Sequence, residues 1–123
     1  MDFDFSVDKL NLSLTLTMAG EDASVCIFGG DRPHIGCTAL AVPHPGISDR
    51  DKMSSTVSVI NVAGHRDGLV AEYCAKKLSS ERGCVVTVSC GIHYEKFDED
   101  IKRELFEKLD ILCEEISERL KKE

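Results

Sequence analysis

The chain has 123 residues, 42% hydrophobic and 30% charged, a balance that fits one folded domain over 1–123 and excludes the depleted profile of a disordered chain. Fifteen basic against 22 acidic residues give a formal net charge of −7, which argues against nucleic acid or an anionic membrane surface as partner. Eleven acids against seven bases lie from Glu95 onward, so the excess negative charge is concentrated in the last quarter of the chain.

In chain order, Phe3 to Val7 and then Leu10 to Met18 alternate apolar and polar residues with period two, which predicts an opening antiparallel hairpin joined through Asp8-Lys9. A turn at Gly20-Glu21-Asp22 leads to β-rich runs at Ser24–Phe28 and Cys37–Val42. Pro43-His44-Pro45-Gly46 is expected to close the latter, with His44 an exposed turn residue and 48–55 an exposed loop. Thr56 to Val62 is the next strand. The period then becomes helical, with Asp67 a natural N-cap and Gly83 a stop. Cys84 to Cys90 is almost continuously apolar, as in a central strand. A long helix follows over 98–122, where Ile101, Leu105, Leu109, Leu112, Ile116 and Leu120 recur at steps of three and four. The predicted fold is α+β: a single antiparallel sheet of five or six strands with two helices packed on it, the C-terminal one long.

The N-terminus carries neither a basic segment followed by an apolar one nor any run of about 18 apolar residues, so a cytoplasmic, non-membrane protein is expected. The six cysteines include no C-x-x-C pair and are read as reduced, buried small hydrophobes.

Three histidines each follow a β-rich run and each sits among glycines: Gly30-Asp31-Arg32-Pro33-His34-Ile35-Gly36, Gly64-His65-Arg66-Asp67-Gly68 and Cys90-Gly91-Ile92-His93-Tyr94. Six of the nine glycines lie within five residues of His34, His65 or His93, and glycine permits positive φ and close backbone approach to a ligand. If the three strand ends neighbour one another, the imidazoles form an open metal-ligand set; separately, each ring can be solvated or cap a carbonyl. Asp31 and Asp67 could orient imidazoles, Asp67 equally being only a helix cap. Arg32 and Arg66 could hold a phosphate or carboxylate, or could simply offset nearby acids. No nucleophile elbow, P-loop, dinucleotide fingerprint or H-E-x-x-H is present.

These motifs, in this order and spacing, resemble the LpdD-like family of small proteins associated with gallate-type hydroxyarene decarboxylases and regarded as prenylated-flavin chaperones. The resemblance implies a usually dimeric fold similar to proteasome-assembly chaperones. It also implies a non-catalytic carrier of prenylated FMN or FMN, received from a UbiX-type flavin prenyltransferase and delivered to a UbiD-type decarboxylase. On that reading Gly30, Asp31, Arg32, His34, Gly36, His65, Arg66, Asp67, Gly91, His93 and Tyr94 line the cofactor site, with a divalent metal on His34, His65 and His93 as a further candidate. A small metal-dependent enzyme using the same histidines, and an assembly scaffold without a ligand, are the alternatives.

Overall fold

The structure, a computed structural model, describes residues 2–7 and 121 as backbone and residues 11–62, 68–95 and 98–120 with side chains. The chain forms β1 (Asp2–Val7), β2 (Leu12–Ala19), β3 (Asp22–Gly30), β4 (Cys37–Pro45), β5 (Met53–Asn61), α1 (Gly68–Arg82), β6 (Val86–His93) and α2 (Glu99–Lys121). One six-stranded sheet has the order β1-β2-β3-β6-β4-β5. β1 and β2 form the expected hairpin, Phe5 facing Leu14, while its connecting residues 8–10 lie outside the described chain.

The sheet is mixed, a departure from the purely antiparallel expectation: β3 and β6 are parallel, from Ala23 facing Val86 to Gly30 facing His93. The cause lies in α1, which carries the chain back along the sheet after the β4–β5 hairpin, so that β6 runs the same way as β3 and opposite to β4.

Period-two burial builds the core. Leu12, Leu14 and Leu16, then Val25 and Ile27, Ala39 and Ala41, and Val86 and Val88 are each at most 3% exposed and share one cluster with Val70, Cys74, Leu78, Leu105, Leu109 and Ile116 of the helices. Both helices therefore lie on one face of the sheet. α2 starts where Asp98 Oδ1 accepts the Ile101 N–H at 2.8 Å, an N-cap bond. α1 ends at Gly83, whose φ of +64° suits the left-handed residue that terminates helices.

Two local expectations are corrected. β4 does not stop at Val42 but runs through Pro43, His44 and Pro45 paired with β5, Pro43 facing Ser55 and Pro45 facing Met53. Its pairing with β6 ends at Ala41, so beyond that point one side of β4 is unpaired and can spare the missing proline N–H. His44 is accordingly a strand residue: its Nδ1 lies 2.8 Å from the Pro45 carbonyl and its Nε2 2.8 Å from Thr56 Oγ1. Residues 53–55, expected in the loop, open β5, and Ser55 is buried with its hydroxyl donating to the Lys76 carbonyl at 3.2 Å.

All six cysteines are free, and Cys37, Cys74, Cys90 and Cys113 are buried. Contact with Cys113, together with burial, holds the Cys74 thiol well above its usual range. These are packing residues rather than nucleophiles. No helix among the described residues is long and apolar enough to cross a membrane.

Candidate functional site

The parallel β3–β6 pair decides where the polar motifs meet. Both strands point their carboxyl ends toward the same rim, so Gly30 sits opposite His93. β4 runs the other way and begins at that rim, which brings the preceding residues 31–36 there too. β5 ends there as well, and the Val62 N–H donates to the Gly36 carbonyl at 2.7 Å. The segments holding His34 and His93 are thus brought together, and Val62 delivers the chain to the same rim just before residues 63–67. His65, Arg66 and Asp67, named from the sequence as site residues, lie outside the described chain.

A dense set of hydrogen bonds fixes the rim. The Asp31 N–H donates to the His93 carbonyl at 2.6 Å, and the Gly36 N–H donates to the Cys90 carbonyl at 2.9 Å. Asp31 Oδ2 accepts the Glu95 N–H at 2.8 Å. On the flank toward β2, Asn11 Nδ2 donates to the Gly30 carbonyl at 2.6 Å. Asp31 therefore ties the ends of β3 and β6 together by accepting a backbone N–H.

Two glycines are required here for reasons of space. Gly30 has a φ of +77°, and a Cβ on it would stand 2.2 Å from the His93 carbonyl oxygen. A Cβ on Gly91 would stand 1.5 Å from the His34 carbonyl oxygen. The glycines allow the loop to lie directly on β6; their close approach is to the protein's own backbone.

The side chains around this frame are polar and half exposed. His34 Nδ1 lies 3.0 Å from the Arg32 carbonyl; since a carbonyl only accepts, Nδ1 carries the hydrogen of that contact. Glu95 Oε1 is 3.9 Å from Arg32 Nη2 and 3.6 Å from His93 Nε2. With Arg32 and Glu95 each about 70% exposed, these contacts are long and solvent-screened, so an incoming anion can compete with Glu95 for both groups. Tyr94, half-buried beneath the rim, has its phenol pushed up to about 12 by burial and by the charge of Asp31. It stays protonated, able to donate a hydrogen bond.

The described residues contain no group of three His, Cys, Asp or Glu side chains arranged to hold a metal ion. The proposed metal triad has one member, His65, outside them.

A second feature escaped sequence reasoning. A groove of about 600 Å³ runs between the helices, lined by Leu69, Glu72, Tyr73, Lys76, Lys77 and Phe106. Tyr73 and Phe106 meet edge to face at 5.5 Å, and the Tyr73 hydroxyl donates to Asp110, which raises its pKa. Tyr73 precedes the buried Cys74 of α1 and Phe106 follows the buried Leu105 of α2, and only the side-by-side packing of the helices reveals that they meet.

The family model for the prenylated flavin chaperone LpdD-like domain matches residues 6–121. The chain belongs to this family. Among solved structures, one described as a novel chaperone complex for yeast 20S proteasome assembly is similar over 98% of this chain and 96% of that one, with a TM-score of 0.63 and 12% identity. At that identity the likeness shows a shared fold. No curated protein sequence matches. For the LpdD-like chain described here, the family implies a prenylated flavin chaperone with a partner enzyme, and the rim is the natural place to ask whether the residues suit that cofactor. Their chemistry does: Arg32 supplies a guanidinium for a phosphate, His34 and His93 supply imidazole donors, and Tyr94 supplies a protonated phenol beside apolar Ile92.

Proposed function

We propose that this LpdD-like protein carries prenylated FMN, or FMN, at the rim formed by the ends of β3 and β6, receives it from a UbiX-type prenyltransferase, and delivers it to a UbiD-type decarboxylase. The observation that carries this reading is the convergence of Arg32, His34 and His93 at one strand-end rim, set by the Gly30–His93 register, in a member of a prenylated flavin chaperone family. Arg32 would meet the cofactor phosphate, with Arg66 as its candidate companion. His34 and His93 would donate to phosphate or ring carbonyl oxygens, and Tyr94 would offer its hydroxyl to the same ring. Gly30, Gly36 and Gly91 shape the frame, and Asp31 braces it. His65 and Asp67 belong to the same proposed site.

The bound flavin supplies the electrophilic and redox chemistry that a recipient decarboxylase uses; the chaperone's residues bind, orient and shield it. A carrier must also release its cargo, and an open rim with screened charges suits transfer better than a closed cage. On this reading the protein works as a homodimer in the cytoplasm. Coexpression with a flavin prenyltransferase tests the proposal: the purified protein should carry flavin absorbance and be retained by an immobilised UbiD-type decarboxylase. Colourless protein with no affinity for that enzyme would overturn it.

A further inference from the structure

The sheet ends in two edge strands of different build. β1, at one end, carries Asp2 and Asp4 among its six residues, and charge on an edge discourages a further strand from pairing with it. β5, at the other end, runs nine residues, Met53–Asn61, without a charge, a proline or a glycine. Its ladder to β4 falls on the even-numbered residues. The Gly46 N–H donates to the Lys52 carbonyl at one end and the Val62 N–H to the Gly36 carbonyl at the other, both at 2.7 Å, and the register carries that alternation through Ser54, Thr56, Ser58 and Ile60. The N–H and C=O groups of Met53, Ser55, Val57, Val59 and Asn61 therefore point away from β4, and no backbone group among the described residues pairs with them. This is a row of donors and acceptors about 30 Å long.

Helix α1 runs beside this edge. A Cβ on Gly68, at its start, would stand 3.2 Å from Asn61 Oδ1 and 3.6 Å from Val59 Cγ1, and Ser80, near its end, lies with its Oγ 2.9 Å from Ser55 Oγ. Glu72 and Lys76 fall between these two contacts on the same i, i+4 row of the helix, where they also border the groove described above. Both are exposed. Lys77 pairs with Glu81 and Asp110, whereas Glu72 and Lys76 make no ion pair among the described residues.

We propose that the outer edge of β5 is a docking strand on which an extended segment of the recipient decarboxylase pairs, with a basic side chain set against Glu72 and an acidic one, two residues away, set against Lys76. An extended backbone is the ligand whose groups match the alternating row on β5. Same-side residues of a strand repeat at about 6.8 Å, close to the rise of about 6 Å between positions i and i+4 of a helix, so neighbouring side chains of an added strand meet Glu72 and Lys76 in turn. Charge selects the occupant: the β5 of a second copy carries no charged residue to answer either one. The position suits a transfer, because β5 ends where Val62 reaches Gly36, beside the loop that carries Arg32 and His34. The inference rests on the delivery reading above and gives that delivery its contact.

Hydrogen exchange of the full-length protein, read residue by residue with and without an excess of a UbiD-type decarboxylase, tests this directly. In the free protein the amides of Thr56, Ser58 and Ile60, bonded to β4, should exchange at least about a hundredfold more slowly than those of Val57 and Val59. The decarboxylase should slow Val57 and Val59 at least about tenfold. Val57→Pro removes one outward N–H and keeps the bonds to β4; it should remain folded by circular dichroism and bind the decarboxylase at least about tenfold more weakly. Lys76→Glu, on the helix surface, should weaken binding several-fold without touching the strand, and so decides the matter even where the proline variant misfolds. Ile111→Lys, at an exposed position of α2, should bind as wild type does. A decarboxylase that takes flavin from the protein while Val57 and Val59 stay fast overturns the docking edge alone. A decarboxylase that does not bind overturns the edge and the delivery together. Slow exchange at Val57 and Val59 in the free protein, as a second copy on the edge would give, also overturns the inference. An edge protected by the decarboxylase in a protein that flavin titration shows to bind no flavin upholds the edge and sinks the cargo.

Discussion

Gly91 shows how closely the rim is built. The His34 carbonyl occupies the space a Cβ would need, and both sides of the clash are backbone. Gly91→Ala should cost about 1–3 kcal/mol, the usual range for overpacking, in urea unfolding, and should weaken flavin binding because the loop must lift off β6. An unchanged midpoint would contradict the geometry. Tyr94 gives a prediction in pH. Its phenol titrates near 12 in the folded protein against 10.0 in the unfolded chain, so folding favours the protonated form. The associated stability is fully present below about pH 10 and is lost as pH rises toward 12. Tyr94→Phe should flatten the fall in stability over that window, and of the two tyrosines, both held above the usual range, it should remove one late-titrating phenolate from the ultraviolet absorbance. At this scale the sequence singled out His34, His93 and Arg32 because polar residues in glycine turns after strands stand out, and the segments that carry them meet at one rim. It misjudged the glycines themselves: a glycine kept for contact with a distant carbonyl looks the same in sequence as one kept for a ligand.

The elements were more legible in kind than in arrangement. Period-two alternation, β-rich or continuously apolar runs and the period of 3.6 together pointed to all eight elements, since apolar spacing reports which face is buried. They say nothing of direction, and the parallel β3–β6 pairing follows from α1 reversing the chain, a tertiary fact. The prolines of β4 misled for a related reason: a proline breaks a strand only where both neighbours pair with it, and the end of the β6 ladder at Ala41 cannot be seen in one segment. The covered face depends on α2, where Leu109 is fully buried within the shared cluster. Leu109→Ala should destabilise by about 2–5 kcal/mol in chemical denaturation, while Ile111→Ala, two residues on and 48% exposed, should stay within about 0.5 kcal/mol. Equal losses at the two positions would contradict the helix packing.

For the whole molecule, the acidity of the chain and an anionic cargo are compatible because charge is segregated. The C-terminal segment from Glu95 holds four of the seven excess negative charges, and the rim offers Arg32 with two histidines. The attraction there is exposed and screened, so flavin affinity should fall as ionic strength rises, in line with a phosphate met at the surface. An affinity unaffected by salt would point to apolar contacts instead of a phosphate met at the surface. The most direct measurement is an anaerobic titration of wild type and the Arg32→Ala/His34→Ala/His93→Ala variant with prenylated FMN, followed by absorbance and fluorescence. The account predicts saturable binding to wild type and a loss of at least about tenfold in the variant, the size expected when a charge-assisted hydrogen bond is removed. Equal binding by both proteins, or none by wild type, would contradict it.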